Sequence, residues 1–229
     1  MIKLRNLSKV YRLNGKTKVV ADNINMKFPT GRAIALLGRN GAGKSSLLQM
    51  IAGTLEPTSG EILSDGSVSW PVGFAGSFHR DLTGEQNCRF VARVYGIDTD
   101  EMCDFVERFA ELGQHFRLPV RTYSSGMKSR LAFGCSMAVP FDTYLIDEVT
   151  AVGDAQFKEK SNQLLLERLE NASAIVVSHS LSSLRKICRS GAVLENGKLF
   201  YYRRLNDAIE HHMRNMGEAA AATIDEDDD

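Results

Sequence analysis

The sequence predicts an α/β fold with a mostly parallel sheet, an antiparallel β region near the N-terminus and a helical subdomain. Three observations support this class. A glycine-rich loop at 38–45 joins an apolar strand to a helix, and short apolar strands alternate with amphipathic helices in the second half of the chain. The stretch 84–138 shows helical patterns without a strand. Alternating strands and helices are typical of parallel sheets covered by helices.

The N-terminal part contains the first strand candidates. Residues 2–4 and 19–20 flank a polar turn at 14–15, and 24–28 form a second apolar segment closed by Pro29. The run 32–37 is apolar, as expected of a buried parallel strand. After the glycine-rich loop, the residues up to Gly53 have apolar side chains at helical spacing.

The remaining elements follow from periodicity and turn residues. We expect helices at 84–95, 100–112, 125–138, 156–169, 181–188 and 206–214, strands at 143–146 and 174–177, and a hairpin at 192–202. The hairpin turn is Asn196-Gly197, a typical type I′ pair. We predict one domain over 1–217, with a helical subdomain at about 84–138. We expect 218–229 to be an acidic, disordered tail.

The glycine-rich loop matches the G-x-x-x-x-G-K-[ST] pattern that binds nucleoside triphosphates. Glycines let backbone N–H groups approach phosphates, the lysine reaches the β- and γ-phosphates, and the serine hydroxyl binds Mg²⁺. The loop precedes a helix N-terminus, which favours an anion. The alternative is a glycine-rich turn that binds nothing. The residues predicted to bind the nucleotide are Gly38, Arg39, Asn40, Gly41, Ala42, Gly43, Lys44, Ser45 and Ser46.

Two further strand ends carry candidate catalytic groups. An apolar run ends in Asp147 and Glu148, which we predict to hold Mg²⁺ and to polarise the attacking water. His179 follows another apolar run, where it would orient that water. The alternatives are an acidic surface turn and a structural histidine. Ser124 or Ser125, before Gly126, would cap a helix. Such a helix N-terminus is either an ordinary capped end or an anion site.

The composition limits the class of protein. The 229 residues contain 28 basic and 28 acidic side chains, five of the latter at 225–229. The slight basic excess elsewhere does not indicate nucleic-acid binding. We find no signal peptide and no apolar run long enough to span a bilayer. The cysteines, Cys88, Cys103, Cys135 and Cys188, are scattered, which favours a reducing compartment without structural zinc.

Together these motifs resemble the ATP-binding cassette family over nearly the whole chain. The resemblance implies that Tyr123-Ser124-Ser125-Gly126-Met127 is a variant signature motif, with Ser125 for the usual glycine and Met127 for the usual glutamine. It also implies that residues 151–154, ending in Asp154, form the loop at the dimer interface. Tyr11 occupies the position that stacks on adenine, although a plain strand tyrosine stays an alternative. His79 is the best match to a glutamine that usually contacts Mg²⁺.

A narrower resemblance is to the ATPases of bacterial polysaccharide exporters, and the capsule branch fits best. It is carried by residues 70–73, 82–85, 123–127 and 147–154. It implies an ATPase that uses ATP and Mg²⁺ and forms a head-to-tail homodimer around two ATP molecules. It also implies an integral membrane partner at the cytoplasmic face of the inner membrane, an indirect polysaccharide cargo and no nucleic acid.

The resemblance leaves the docking surface and three other function classes open. We expect residues 70–83 and the helices after them to dock the membrane subunit, through Trp70, Phe74 and Phe78. Local core packing of these three side chains is the alternative. The other function classes are an exporter of another cargo such as O-antigen or teichoic acid, a soluble cassette ATPase acting on ribosomes or DNA, and a nucleotide-binding protein without turnover.

Overall fold

A computed structural model describes residues 1–13, 15–73, 76, 78–147 and 154–225. The strands are β1 Ile2–Leu13, β2 Lys16–Phe28, β3 Ala33–Leu37, β4 Ser59–Ser64, β5 Val68–Pro71, β6 Thr143–Asp147, β7 Ser173–Val177, β8 Ser190–Glu195 and β9 Lys198–Tyr202. The helices are α1 Lys44–Ile51, α2 Gly84–Tyr95, α3 Thr99–Ala110, α4 Ser125–Ala138, α5 Ala155–Leu169, α6 Leu181–Ile187 and α7 Leu205–Asp225.

Two sheets organise the fold. An antiparallel sheet has the order β2-β1-β4, and a six-stranded sheet has the order β5-β6-β7-β3-β8-β9. In this sheet β5, β6, β7, β3 and β8 pair in parallel with their neighbours, and β9 pairs antiparallel with β8. The predicted fold class is therefore confirmed.

The two hydrophobic cores lie on either side of the larger sheet's strands. One packs the antiparallel sheet and α1 against side chains of β3, β6, β7 and β8, with Leu7, Leu48 and Leu145 fully buried. The other joins the helices α2, α3 and α4 to the same strands. Burial of these apolar side chains supplies the main driving force for folding, at roughly 25 cal/mol per Å² of buried surface.

Helix bounds agree with the periodicity except at the C-terminus. The predicted helix ended at Arg214, whereas α7 continues to Asp225. The predicted end was wrong because 215–225 contains alanines, which favour helix, and no proline. The proposed domain boundary at 217 falls inside this helix.

The N-terminal strands are longer than predicted. Segments 19–20 and 24–28 belong to one strand, β2, whose pairing with β1 includes register shifts. The shifts accommodate Asn6 and Asn23, which have φ values of 49° and 50°. Short-range patterns split β2 because Asp22 and Asn23 resemble a turn.

Candidate functional site

The glycine-rich loop connects the C-terminal end of β3 to the N-terminus of α1. Gly43 caps α1 with φ 105°, in the left-handed region that only glycine adopts without strain. A Cβ on Gly43 would lie 2.7 Å from Val20 Cβ. The loop therefore packs directly on β2 and leads into the N-terminus of α1, a position that favours an anion.

Lys44, the first residue of α1, is held inside the loop. Its Nζ donates hydrogen bonds to the carbonyl oxygens of Gly38 at 2.8 Å and Arg39 at 3.1 Å. These contacts fix the ammonium group beside the loop's own backbone. The structure thus positions a cation where the sequence predicts phosphate oxygens.

A pocket of about 470 Å³ lies in front of this loop. Its lining combines the loop, the start of α1, two strand ends and the β1–β2 hairpin. The lining residues are Tyr11, Lys18, Val20, Asn40, Gly41, Gly43, Lys44, Ser45, Ser46, Asp147, Val177 and His179. Nine of the residues predicted to form the site are therefore brought together around one cavity.

Strand order explains how Asp147 and His179 reach the loop. β6 and β7 are neighbours, with Asp147 opposite Val177, and β7 also pairs with β3. Carboxyl ends of parallel strands meet at one edge of a sheet, which is the usual ligand edge. His179 follows β7 at that edge. Glu148, the predicted general base, lies outside the described residues.

Tyr11 stands at the rim of the pocket. Its hydroxyl group is 3.2 Å from Ser46 Oγ, the residue is 39% exposed, and Lys9 Nζ lies 5.2 Å from the ring centre. The ring is thus tied to the first turn of α1 and accessible to a planar base. Its role in stacking stays a prediction.

Lys18 and Val20 line the pocket but were not predicted from the sequence. Both belong to β2, and Lys18 pairs directly with Tyr11 across the hairpin. The register of the β1–β2 pairing is needed to place Lys18 and Val20 at the pocket, because no nucleotide-binding motif lies between Tyr11 and Lys18. The spacing of two residues is not a sufficient signal, because the pairing of β1 and β2 shifts register at Val20.

A second cavity of about 280 Å³ adjoins the first behind the loop. Gly38, Arg39 and Ala42 line it, together with His212 of α7. His212 Nδ1 is buried and has no hydrogen-bond partner among the described residues. The neighbouring His211 bonds to the Tyr202 hydroxyl at 2.8 Å and to Glu195 at 3.2 Å.

Burial lowers the pKa of His212 below its ordinary value of 6.5, and Lys44, His211 and His179 lower it further. The unfolded chain therefore takes up this proton at a higher pH than the folded one, so the free energy of unfolding falls as pH drops below 6.5. We expect the melting temperature of His212→Gln to fall less than that of wild type between about pH 7.5 and 5.5. Thermal unfolding measures this.

The matched control for that comparison is His115→Gln, because His115 is exposed. It should keep the wild-type pH dependence. Identical pH profiles for wild type and His212→Gln would contradict the assignment.

The predicted signature residues lie at the start of α4. Ser124 caps the helix by accepting a hydrogen bond from Met127 N at 3.2 Å, and Ser125 is its first residue. The capping prediction is confirmed. Ser124, Ser125 and Gly126 do not appear in the described lining of the phosphate-loop pocket of the same chain. Their contact with nucleotide stays a prediction.

Asp154 is tied to the signature helix. It caps α5 through Phe157 N at 2.9 Å and accepts a 2.7 Å hydrogen bond from Arg130 Nη2. The Phe157 hydrogen bond, and then Arg130, hold the pKa of Asp154 below its usual range. Arg130 also lies 4.4 Å from the Phe157 ring centre. Asp154 thus links α4 to the loop before α5, whose residues 151–153 lie outside the described residues.

His79 does not appear in the described lining of the pocket. Its Nδ1 accepts a hydrogen bond from Asp81 N at 3.3 Å. The buried Asn87 amide holds this turn, accepting from His79 N and donating to the carbonyls of His79 and Thr83. Asn87 was missed as an organiser of the turn. The nucleotide-sensing role of His79 stays a prediction.

An apolar groove of about 460 Å³ runs between the larger sheet and the helical subdomain. Its lining residues are Gln49, Thr54, Trp70, Pro71, Phe78, Asn87, Phe90, Val91, Val94 and Tyr95. The ring centres of Trp70 and Tyr95 lie 5.2 Å apart in a tilted arrangement, and each ring packs edge-on against Phe141 with centres 5.3 Å apart. Trp70 and Phe78 were predicted for this surface, whereas Phe74 lies outside the described residues. Phe90 and Val94 were missed although they are 61% and 60% exposed.

The fold and pocket define a nucleotide-binding α/β protein with a phosphate loop at the edge of a parallel sheet. A family model described as ABC transporter matches residues 21–151. The polysialic acid transport ATP-binding protein KpsT of Escherichia coli is 49% identical over 215 residues, covering 93% of this chain and 96% of the relative. The capsule polysaccharide export ATP-binding protein CtrD of Neisseria meningitidis serogroup B is 45% identical over 212 residues, covering 93% and 98%. The chain belongs to the ABC transporter family.

Solved structures support the same fold. A dimeric ATP-binding cassette in a post-hydrolysis state with ADP and Pi has a TM-score of 0.74 and 23% identity, covering 90% of this chain and 99% of that one. The predictions of the cassette family, of its fold and of an ATPase that binds nucleotide are confirmed. No helix among the described residues has the length and apolar character needed to cross a membrane.

Proposed function

We propose that this protein is the ATP-hydrolysing subunit that powers export of a capsular polysaccharide through a separate integral membrane subunit. The main support for this proposal is the sequence identity of 49%, over 93% of the chain, to a polysialic acid transport ATP-binding protein. The protein would lie peripherally at the cytoplasmic face of the inner membrane. Export of another polymer, such as O-antigen, is the second candidate.

ATP binds in the phosphate-loop pocket in this proposal. The adenine ring stacks on Tyr11, and the phosphates follow the pocket to the N-terminus of α1, where backbone N–H groups and Lys44 Nζ stabilise their charge. The pocket edge supplies two polar side chains close to the phosphates, Asp147 and His179. His179 would orient the attacking water, and Glu148 would accept its proton.

The residues present fit Mg²⁺. Ser45 and Asp147 line the same pocket and offer a hydroxyl and a carboxylate oxygen. No cluster of three or more metal-ligating side chains occurs in the described ranges, which agrees with an ion held by one or two protein oxygens, water and phosphates. When bound, the ion neutralises phosphate charge.

A second copy of the chain would complete each site. The described pocket contains the phosphate loop but none of Ser124, Ser125 and Gly126. In a head-to-tail pair, Ser124 and Gly126 of a second copy would contact the γ-phosphate at the N-terminus of its α4. Loss of that phosphate removes the contact, which gives ATP the different affinity for closed and open pairs that a switch needs.

The apolar groove would receive the membrane subunit. Exposed aromatic and aliphatic side chains in one concave surface usually mark an interaction site. Contacts of two of its lining residues, Trp70 of β5 and Tyr95 of α2, with each other and with Phe141 join the sheet to the helical subdomain. Movement of either part on ATP binding would therefore reach the bound partner. The polysaccharide itself would contact this chain only indirectly.

Deletion of the gene tests the cargo. We expect an acidic capsular polymer to accumulate inside the cells and to disappear from their surface, because synthesis continues without a motor for export. Composition analysis of internal and surface polysaccharide measures this. Wild-type protein should restore export and Lys44→Ala should not. Loss of surface O-antigen instead would favour the second candidate, and unchanged surface polymers would contradict both.

Purification of the tagged protein from membranes tests the partner. An integral membrane subunit should co-purify, and lipid-linked polysaccharide should accompany it. Recovery of the chain alone from gently solubilised membranes would count against a membrane complex. Salt-sensitive recovery of RNA or DNA would favour a non-transport ATPase.

A further inference from the structure

Lys18 lies opposite Tyr11 in the hairpin beside the nucleotide pocket. In the β1–β2 pair, Tyr11 is the direct partner of Lys18 and Val10 the partner of Val19. Side chains of directly opposite residues project from the same face, with Cβ atoms roughly 5 Å apart. Lys18 therefore projects from the same face as the aromatic ring at the pocket rim.

That face of β2 is directed at the phosphate loop. Val20, two residues after Lys18, lines the same pocket and packs at the position where Gly43 lacks a side chain. A methyl group on Gly41 would lie 3.5 Å from Lys18 Nζ. The Lys18 side chain thus extends from beside Tyr11 to the loop that receives the phosphates. It lines both the nucleotide pocket and the cavity behind the loop.

The Lys18 ammonium group makes no hydrogen bond or ion pair with any other residue that the structure describes. Neighbouring lysines differ, because Lys9 donates to the Glu56 carbonyl at 2.6 Å and Lys198 pairs with Asp22. Lys18 is exposed, so its charge is hydrated and carries no burial cost. A cation next to a phosphate loop raises the affinity of the loop for polyanions.

We propose that Lys18 is a second phosphate-binding lysine. Its ammonium donates a charge-assisted hydrogen bond to a non-bridging oxygen of the nucleotide's polyphosphate chain beside Gly41. The ligand class is a nucleoside di- or triphosphate, and no proton is transferred. The inference rests on the proposed use of this pocket for ATP, and it does not depend on the transported polymer.

Substitution of Lys18 tests the contact. We expect Lys18→Met to weaken ATP and ADP binding about tenfold at low salt, the lower range for a hydrogen bond between charged groups. Titration calorimetry measures the dissociation constants. The difference from wild type should shrink at about 0.5 M salt, because screening weakens an exposed contact. Lys18→Arg, which keeps the charge, should bind nearly as wild type.

Two controls separate the possible failures. Lys27→Met makes the same change on an exposed residue of β2, nine positions or about 30 Å away, and should bind ATP normally. Lys44→Ala should lose binding. Normal binding by Lys18→Met together with loss in Lys44→Ala overturns the role of Lys18 alone. Normal binding by both variants overturns the nucleotide pocket itself.

Amine labelling of the wild-type protein gives an independent result that does not depend on a folded variant. Acetylation by an N-hydroxysuccinimide ester, read by mass spectrometry, should decrease severalfold at Lys18 when ATP is saturating. Labelling of Lys27 should stay unchanged. Equal labelling of Lys18 with and without ATP overturns the proposal.

Discussion

Chains carrying Lys44→Ala should hydrolyse ATP at least about 100-fold more slowly than wild type, because the lysine stabilises charge on the transferred phosphate. Gly126→Asp should reduce the rate to a similar extent. A mixture of the two variants should nevertheless recover activity. In the proposed head-to-tail pair, a mixed dimer contains one site with an intact phosphate loop and an intact signature.

The structure indicates that Gly126→Asp can change the proposed phosphate contact without disturbing the fold. A Cβ on Gly126 would meet only Ser124 Oγ, at 3.9 Å, so the side chain has open space. An acidic residue in the first turn of α4 is also compatible with the helix dipole. The expected loss therefore comes from repulsion of a bound phosphate, and the melting temperature should stay near that of wild type.

Phosphate release from mixtures at varied ratios measures the recovery. Random mixing of equal amounts makes half of the dimers mixed, which allows up to about one quarter of the wild-type rate. Pull-down through differently tagged chains verifies that mixed dimers form. No recovery at any ratio, with mixed dimers present, would exclude a site shared between chains.

Replacing Phe90 and Val94 together by glutamate should abolish polysaccharide export while basal ATP hydrolysis stays within about twofold of wild type. Both side chains line the apolar groove and are 61% and 60% exposed. They contribute little to the core, so their replacement removes apolar contact with the membrane subunit and adds charge there. The pocket proposed for ATP shares no lining residue with this groove, so we expect ATP binding to be unaffected.

Leu166→Glu is the matched control, since Leu166 is 48% exposed on α5 and does not line the groove. It should leave both export and hydrolysis unchanged. Phe78 was also predicted to contact the membrane subunit, but it packs against the core, so its replacement would affect both docking and stability. Normal export by the Phe90 and Val94 double variant would exclude the groove as the docking surface.

Local signals predicted most of the elements that form the nucleotide pocket. The glycine-rich loop and the strand ends at Asp147 and Val177 were all predicted from residues adjacent in the chain, and all line the pocket. These features depend on backbone conformation and on short-range periodicity, which a sequence displays directly. The strand-order rule then explained why Asp147 and His179 lie near the loop.

Long-range packing decided what the patterns missed. The sequence predicted a helix at 84–95, but helical periodicity does not tell which apolar residues the fold covers, so Phe90 and Val94 were not singled out. The sequence does not distinguish Asn87 from other polar residues, because its hydrogen bonds to His79 and Thr83 form only in the folded turn. The predicted end of the last helix, Arg214, was too early because the alanines after it favour continuation of the helix to Asp225.

By itself, the sequence determined which reactive residue types the pocket carries, since Lys44, Ser45 and Asp147 were predicted from type and spacing and all three line it. Only the tertiary structure decided which other residues share that pocket and which apolar side chains stay exposed. The Tyr11–Lys18 pairing depends on hairpin register, and the exposure of Phe90 depends on how α2 packs against α3 and α4. Both are set by contacts between separate elements, whose free energies the pattern of a single element does not encode.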